Sequence, residues 1–410
     1  MRYCFLICIM IFAGYANGNT ILVGKGGRVS TIREGISMAV NGDTVMVLPG
    51  IYKEGHLTIT KSIALIGKDR PVLDGEHKYE ILLVSGKNIR VSGFEFRNSG
   101  YSAMNDFASV KVVDARQILI SDNHITGAYF AIHISNTAEA TVSGNRIEGT
   151  PRSEQLTGNA IHCWKSSEAL IENNHVQGHR DGIYFEFVTH SVIRNNISEK
   201  NIRYGLHFMF SNDDTYQHNT FQDNGAGVAV MYSSKVKMER NLFEDNWGPS
   251  AYGILLKDIS DSYIFHNTFR RNTMALHLEG SSRIDIRYNR FTENGWAVKV
   301  QASCENNKFH HNNFTGNSFD VGTNGSISLN DFYNNYWDKY EGYDINHDGI
   351  GDVPYHPVSM YSMIVEQNPA TLMLFRSFTV QLIDKAEKAI PSFTPENLTD
   401  AKPFMKPVQL

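Results

Sequence analysis

The residues best suited to chemistry in this chain are soft donors at short, regular spacing. His207 and Met209 lie two positions apart in an alternating segment, so both point the same way, about 6.6 Å apart at the backbone. Met231 falls in the column of Met209 one repeat further on, about 4.8 Å away. Imidazole and thioether together suit copper(I), and flexible methionine side chains can close such gaps. Few ligands in a shallow place would favour transient binding over storage. His162 joins this candidate copper set, with Trp164, Tyr184 and Glu186 as the surrounding surface. One outward column reads His133, His162, Tyr184, His207, Ala229, Leu255, His277, Lys299; its neighbour reads Ser135, Trp164, Glu186, Met209, Met231, Lys257, Glu279, Gln301. A solvated face would be Thr, Ser, Lys and Glu. An apolar, soft-ligand patch equally suits contact with another protein, or cover by a loop or the tail.

A second candidate is a hard-cation loop. Asp344, Asn346, Asp348 and Asp352 alternate as oxygen ligands, the Ile350 carbonyl can add another, and Gly349 and Gly351 permit the turn. This matches the first part of a calcium loop. Position twelve is Tyr355 instead of a bidentate Glu, so a plain Asp/Asn/Gly turn is the alternative. Asp213 and Asp214 could act as paired carboxylates for carbohydrate cleavage, but a solvated turn is the favoured reading. Gly178-His179-Arg180 is not the Gly-His-Gly of polygalacturonases, and no Ser/His/Asp or Cys/His set stands out. A carbohydrate-binding or carbohydrate-cleaving protein remains open as one function class beside a copper-handling one.

These donors must be positioned by a repeat. An Asn-x-apolar landmark recurs at Asn123, Asn145, Asn174, Asn195, Asn219, Asn241, Asn267, Asn289 and Asn312, at intervals of 21 to 29 residues. The third residues run from Ile125 through Ile197 to Phe221, Phe243, Phe269, Phe291 and Phe314. Helical arrays repeat at longer intervals. Within the same repeats, apolar pairs alternate with outward residues, from Ile132/Ile134 and Ile161/Cys163 to Val298/Val300. Period-two alternation means strands with one buried face. Parallel strands one repeat apart, without a helical pattern between them, imply an all-β, right-handed parallel β-helix over residues 19–335. Asparagines at the turn are expected to tolerate left-handed angles and to bond from coil to coil.

A short helix from Ile32 to Val40 should cap the first coil, because a solenoid end exposes core and sheet edge. Residues 336–367 read as the calcium-like loop and a connector. Residues 368–410 read as a C-terminal helix, Asn368 to Ile390, followed by an extended tail. Asn368 and Pro369 suit the helix start and Pro391 the stop. Its large apolar residues, Leu372, Phe375, Phe378, Leu382 and Ile383, are expected to dock a partner, capping of the core being the alternative. Charged residues interrupt the apolar face, so the mature chain has no membrane span.

The 38 basic and 43 acidic residues nearly balance, which argues against a nucleic-acid binder. Arg2, an apolar run from Tyr3 to Ala13 and small residues to Gly18 read as a signal peptide over 1–18, hence export. Of the cysteines that remain, Cys163 and Cys304 lie too many coils apart to pair.

The segments RDGIYFEF from Arg180, RYGLHFMFSNDD from Arg203, GVAVMYS from Gly227, GWAVKVQASC from Gly295, the loop from Tyr336 to Tyr355 and the tail through PENLTDAKPFMKP are familiar together. They resemble the NosD-type periplasmic copper-processing proteins of nitrous-oxide reductase maturation, over nearly the whole mature chain. The resemblance implies a periplasmic, non-enzymatic accessory of a dedicated ABC transporter. It implies contact with the transporter's membrane subunit, copper received from a copper-chaperone lipoprotein, and help in assembling the copper–sulfide centre of the nitrous-oxide reductase apoprotein.

Overall fold

The computed structural model describes residues 18–101, 106–325, 329–389 and 398–410. The expected signal peptide lies almost wholly outside them. The chain winds as a parallel β-helix, with three short strands and three turns in each regular coil. One sheet of 24 strands carries two faces of the rod, and a second sheet of 13 strands carries the third.

The inward pairs read from the sequence stack in register. Ile132 pairs with Ile161, then Ile183, Leu206, Val228, Ile254, Leu276 and Val298 follow coil by coil. Every one of these side chains is fully buried. On the opposite wall Phe221, Phe243, Phe269, Phe291, Phe314 and Trp337 form one continuous stack, with ring centroids 4.0–5.5 Å apart. Rings stacked near the interstrand spacing bury their faces on one another along this wall.

The asparagine landmark is a ladder. The side-chain amide of Asn123 donates to Asn145, and the chain of bonds runs on through Asn174, Asn196, Asn219, Asn241, Asn267, Asn289 and Asn312 to Asn335, each at 3.0–3.1 Å. Each buried amide is thereby satisfied. Two details correct the sequence reading. The rung in the fourth coil is Asn196, not Asn195, so Ser198 points inward and Ile197 lies 42% exposed. The left-handed residue is also the one before the rung: Asp122, Asn173, Asn195, His218 and His311 all have positive φ, while the rungs do not. The αL residue reverses the strand direction and the rung's side chain then points along the rod. A second ladder, Asn201, Asn224, Asn246, Asn272, Asn294 and Asn317, lines another turn.

Helix α1, Ile32–Met38, caps the N-terminal end as expected, with the Thr31 hydroxyl accepting from the Glu34 amide. Ile32, Gly35 and Ile36 face the first coils; a side chain at Gly35 would run into Val23 and Val45.

The C-terminal end departs from expectation. The single helix over 368–390 is replaced by α2 (Met360–Gln367), a 3-10 turn (Pro369–Leu374) and α3 (Phe378–Ala389). The chain breaks at Arg376, which has φ 62°, and Ser377 restarts it by accepting from the Val380 amide. Tertiary packing forces the break: Phe375 turns in to meet Phe319 and Tyr361, joining a small cluster with Trp296, Val365 and Val380. The tail is corrected too. Residues 398–410 do not hang free; they add the closing partial coil, with Asp400 bridging to Phe332 and Phe404 to Tyr336. Residues 390–397 lie outside the described residues.

Candidate functional site

The outward columns expected to carry chemistry lie side by side on one face of the rod. Parallel register fixes them: Tyr184 pairs with His207 and Glu186 with Met209, and one coil on Met209 pairs with Met231. Met209 and Met231 are therefore lateral neighbours, and the Tyr184 hydroxyl donates to the Met209 sulfur at 3.5 Å. His162 is in the same column as His207 but two coils away. Tyr184 stands between them, its ring centroid 4.8 Å from each. His162 is thus separated from the methionine pair and belongs with His133, 4.8 Å away.

The face is more covered than a surface patch. His133, Tyr184, His207, Leu255 and His277 are each under a tenth exposed, and Met209, Met231, Trp164 and Glu186 are half-buried. Rings packed on one another along the column, edge to face at His133–His162 and tilted at Tyr184, do much of the covering. The expectation of an exposed column is corrected accordingly, because aromatic residues one coil apart pack on one another. Towards the N-terminal side the face opens into a groove of about 720 Å³. His133, His162, Trp164 and Glu186 line it with Lys111 and Glu80.

Burial keeps the imidazoles of His133, His162 and His277 neutral, since the charged form is costly there. It lowers His162 to about 3, helped by His133 and Arg180, and His133 and His277 to about 4. Neutral rings retain a lone pair for a metal. Both ring nitrogens of His162, Nδ1 of His133 and Nε2 of His207 are buried without a hydrogen-bond partner. Such groups are costly unless something else uses them.

His207 is the most organised of these rings. Asp181, fully buried, receives Arg203 Nε at 2.9 Å and Nη2 at 2.5 Å. Its Oδ2 lies 3.6 Å from His207 Nδ1, and Arg203 Nη2 lies 3.3 Å from that same atom. Burial alone would raise Asp181, but His207 and Arg203 outweigh it and hold the carboxyl at about 2. Two contacts compete for Nδ1: an Arg203 N–H can donate to it, or its own N–H can turn to Asp181, and the second arrangement is the one that leaves the Nε2 lone pair for another ligand. A carboxylate on the far nitrogen is the usual support of a metal-bound histidine. Sequence reasoning missed Asp181 and Arg203. The signal was there: Asp181 opens its strand, Arg203 immediately precedes the strand one coil on, and the two charges are opposite.

Among the described residues no group of three or more His, Cys, Asp or Glu could hold a metal. A soft ion on this face would therefore rely on sulfur: the donors that fit copper(I) are the two thioethers with His207 Nε2.

Asp213 and Asp214 do not form a catalytic pair. Asp213 is turned to solvent near Lys235, whereas Asp214 is buried, accepting from the Ser191 amide. The solvated-turn reading holds for the first residue and fails for the second. In the 344–352 loop the carboxylates fold onto backbone amides: Asp344 accepts from Asp348 and Gly349, Asp348 from Ile350, and Asp352 from Ile345. The loop is pinned to the tail by Gly351 donating to Pro403 and Met405 donating to Gly349. Of the expected docking residues, Leu372, Phe378 and Leu382 are exposed and Ile383 is half-buried. Phe375 is not on that face, since it anchors the segment to the rod.

Residues 149–349 match the family model described as periplasmic copper-binding protein (NosD). Two curated relatives are similar over most of their length. The probable ABC transporter binding protein NosD of Stutzerimonas stutzeri is 28% identical, covering 89% of this chain and 88% of the relative. Its namesake in Pseudomonas aeruginosa is 28% identical, covering 91% of each. Among solved structures, the Dettilon tailspike protein superposes with a TM-score of 0.57 at 13% identity, over 72% of this chain and 64% of that one, which is a likeness of fold alone.

Proposed function

We propose that this chain, whose residues 149–349 match the family model described as periplasmic copper-binding protein (NosD) and which is 28% identical to two relatives named NosD, carries copper(I) in the periplasm for an ABC transporter and helps assemble the copper–sulfide centre of nitrous-oxide reductase. The copper is cargo, taken from a copper-chaperone lipoprotein and passed towards the reductase apoprotein. One observation carries the reading. His207 presents a buried, partnerless Nε2 on the face that also carries the Met209–Met231 pair, with Asp181 and Arg203 fixing the ring.

In this reading the residues divide the work. His207 and the two thioethers bind the ion, Tyr184 positions Met209, and Asp181 with Arg203 orients His207. His162 lies two coils away, at the edge of the groove, where it would meet an incoming or departing partner along with Trp164 and Glu186. A few soft ligands at a half-buried place leave a coordination position for the partner's own donor, which favours transfer over storage. The exposed Leu372, Phe378 and Leu382 form the contact with the transporter's membrane subunit. The divergence of Asp213 and Asp214 removes the carboxylate pair on which the carbohydrate-cleaving alternative rested.

The test is maturation. A strain carrying Met209→Leu and Met231→Leu should export the protein normally but accumulate copper-poor reductase, seen in the reductase's visible absorption. Fully loaded reductase in that strain would overturn the assignment.

A further inference from the structure

Far from that face, at the C-terminal end of the rod, two adjacent histidines converge. His310 ends the strand Glu305–His310, and His311 is the turn residue that follows. Neighbouring side chains on a strand normally point to opposite sides. His311 has φ 55°, and this left-handed turn swings its ring back beside that of His310. The two Nδ1 atoms stand 2.9 Å apart. The far nitrogen of His310, Nε2, lies 2.9 Å from Asp285 Oδ1, and Arg287 holds the other oxygen of Asp285 at 2.5 Å.

The order arginine, carboxylate, histidine repeats that of Arg203, Asp181 and His207. A carboxylate on Nε2 fixes the tautomer that leaves Nδ1 as a lone-pair donor. Around the pair, Tyr333 stacks on His310 at 4.9 Å, while Tyr288 and Phe404 flank His311. Asn334, one coil on in the column of His311, has its Oδ1 buried without a partner.

We propose that His310 and His311 form a second copper(I) site, bound through their two Nδ1 atoms and oriented by Asp285, with Asn334 Oδ1 beside it. Bonds of roughly 2 Å to imidazole nitrogen span a 2.9 Å bite in a bent arrangement. Two nitrogen donors and aromatic walls suit a low-coordinate soft ion and fall short of zinc's four ligands. In the metal-free protein the Nδ1 proton of one ring bridges to the other; when copper binds, that proton moves to the Nε2 of the same ring. The site is independent of the His207–Met209–Met231 reading and is tested apart from it.

The experiment is anaerobic titration of the purified full-length protein with copper(I) against a chromophoric chelator. The wild type should bind two equivalents. His310→Gln with His311→Asn, the second chosen because Asn accepts the left-handed turn, should bind one. Met209→Leu with Met231→Leu should retain the equivalent held here. Asp285→Asn should weaken the second site roughly 10- to 100-fold. X-ray absorption of copper bound to the double-Leu variant should show low-coordinate copper with nitrogen and no sulfur, a readout that needs no histidine variant to fold. Two equivalents in a folded His310→Gln/His311→Asn protein, sulfur in that spectrum, or zinc bound as tightly as copper would each overturn the proposal.

Discussion

The carboxylate of Asp400 continues the asparagine ladder past its last rung: its Oδ2 accepts the backbone N–H and the side-chain amide of Asn335, at 3.0 and 3.1 Å, across 65 residues of sequence. Trp337 Nε1 donates to the same oxygen at 3.0 Å. A residue from the tail thus accepts from three donors at the end of the solenoid, of which the Asn335 side-chain amide also donates to the Phe309 and Tyr333 carbonyls. Asp400→Ala should cost about 2–4 kcal/mol. Because each coil leans mainly on its neighbours, the loss should appear first as faster amide exchange in the C-terminal coils. Unchanged exchange around Phe332 to Trp337 would show that the tail is not a cap.

Asp214 makes stability depend on pH. Burial, with Asp213 nearby, raises its carboxyl to about 8, although the Ser191 amide pulls the other way. A folded pKa above the unfolded value of about 3.9 means stability is full below pH 4 and falls as pH rises towards 8. Asp214→Asn keeps a polar side chain of similar size, and Asn307 and Asn330 occupy the same column. It should flatten the slope and stabilise the protein at pH 8 by at least about 1 kcal/mol. Melting temperatures from pH 5 to 8 check this; parallel curves for the two proteins would contradict it.

The 344–352 loop should bind calcium weakly, since Tyr355 cannot supply the bidentate ligand and instead donates to Asp320 at 3.1 Å. The loop is bonded to the tail, so millimolar calcium should raise the melting temperature of the C-terminal end. No heat of binding and no effect of chelator would leave the loop a turn.

The apolar face of the C-terminal segment should be a contact surface. Met373 is 90% exposed and Phe378 73%, and neither supports the rod. Met373→Asp with Phe378→Asp should leave the spectrum and melting unchanged and abolish co-purification with the transporter's membrane subunit. Trimming 398–410 is a poorer test, because it also removes Asp400. Undiminished co-purification of the double variant would move the contact elsewhere.

The rod was legible because inward residues obey a simple period, and Ile132, Ile161, Ile183 and Leu206 fall into register with no further information. The rung at Asn196 was not, because adjacent asparagines are equivalent in sequence and only the inward serine distinguishes them. The break at Arg376 was not legible either: local propensity favours one helix, and the docking of Phe375 on Phe319 overrides it. The same limit applied to the site. His207 and the methionines were visible from strand alternation, but their supports Asp181 and Arg203 look like ordinary surface charges until the coils are stacked.

Copper(I) held by His207, Met209 and Met231 is the basis of the proposed function. Anaerobic copper(I) titration of the wild type, His207→Ala and Met209→Leu/Met231→Leu measures it directly, with circular dichroism to confirm the fold. Both variants should lose one equivalent of copper, or bind it at least about 100-fold more weakly, and keep their β spectrum. Wild-type stoichiometry and affinity in the folded double-Leu variant would contradict it.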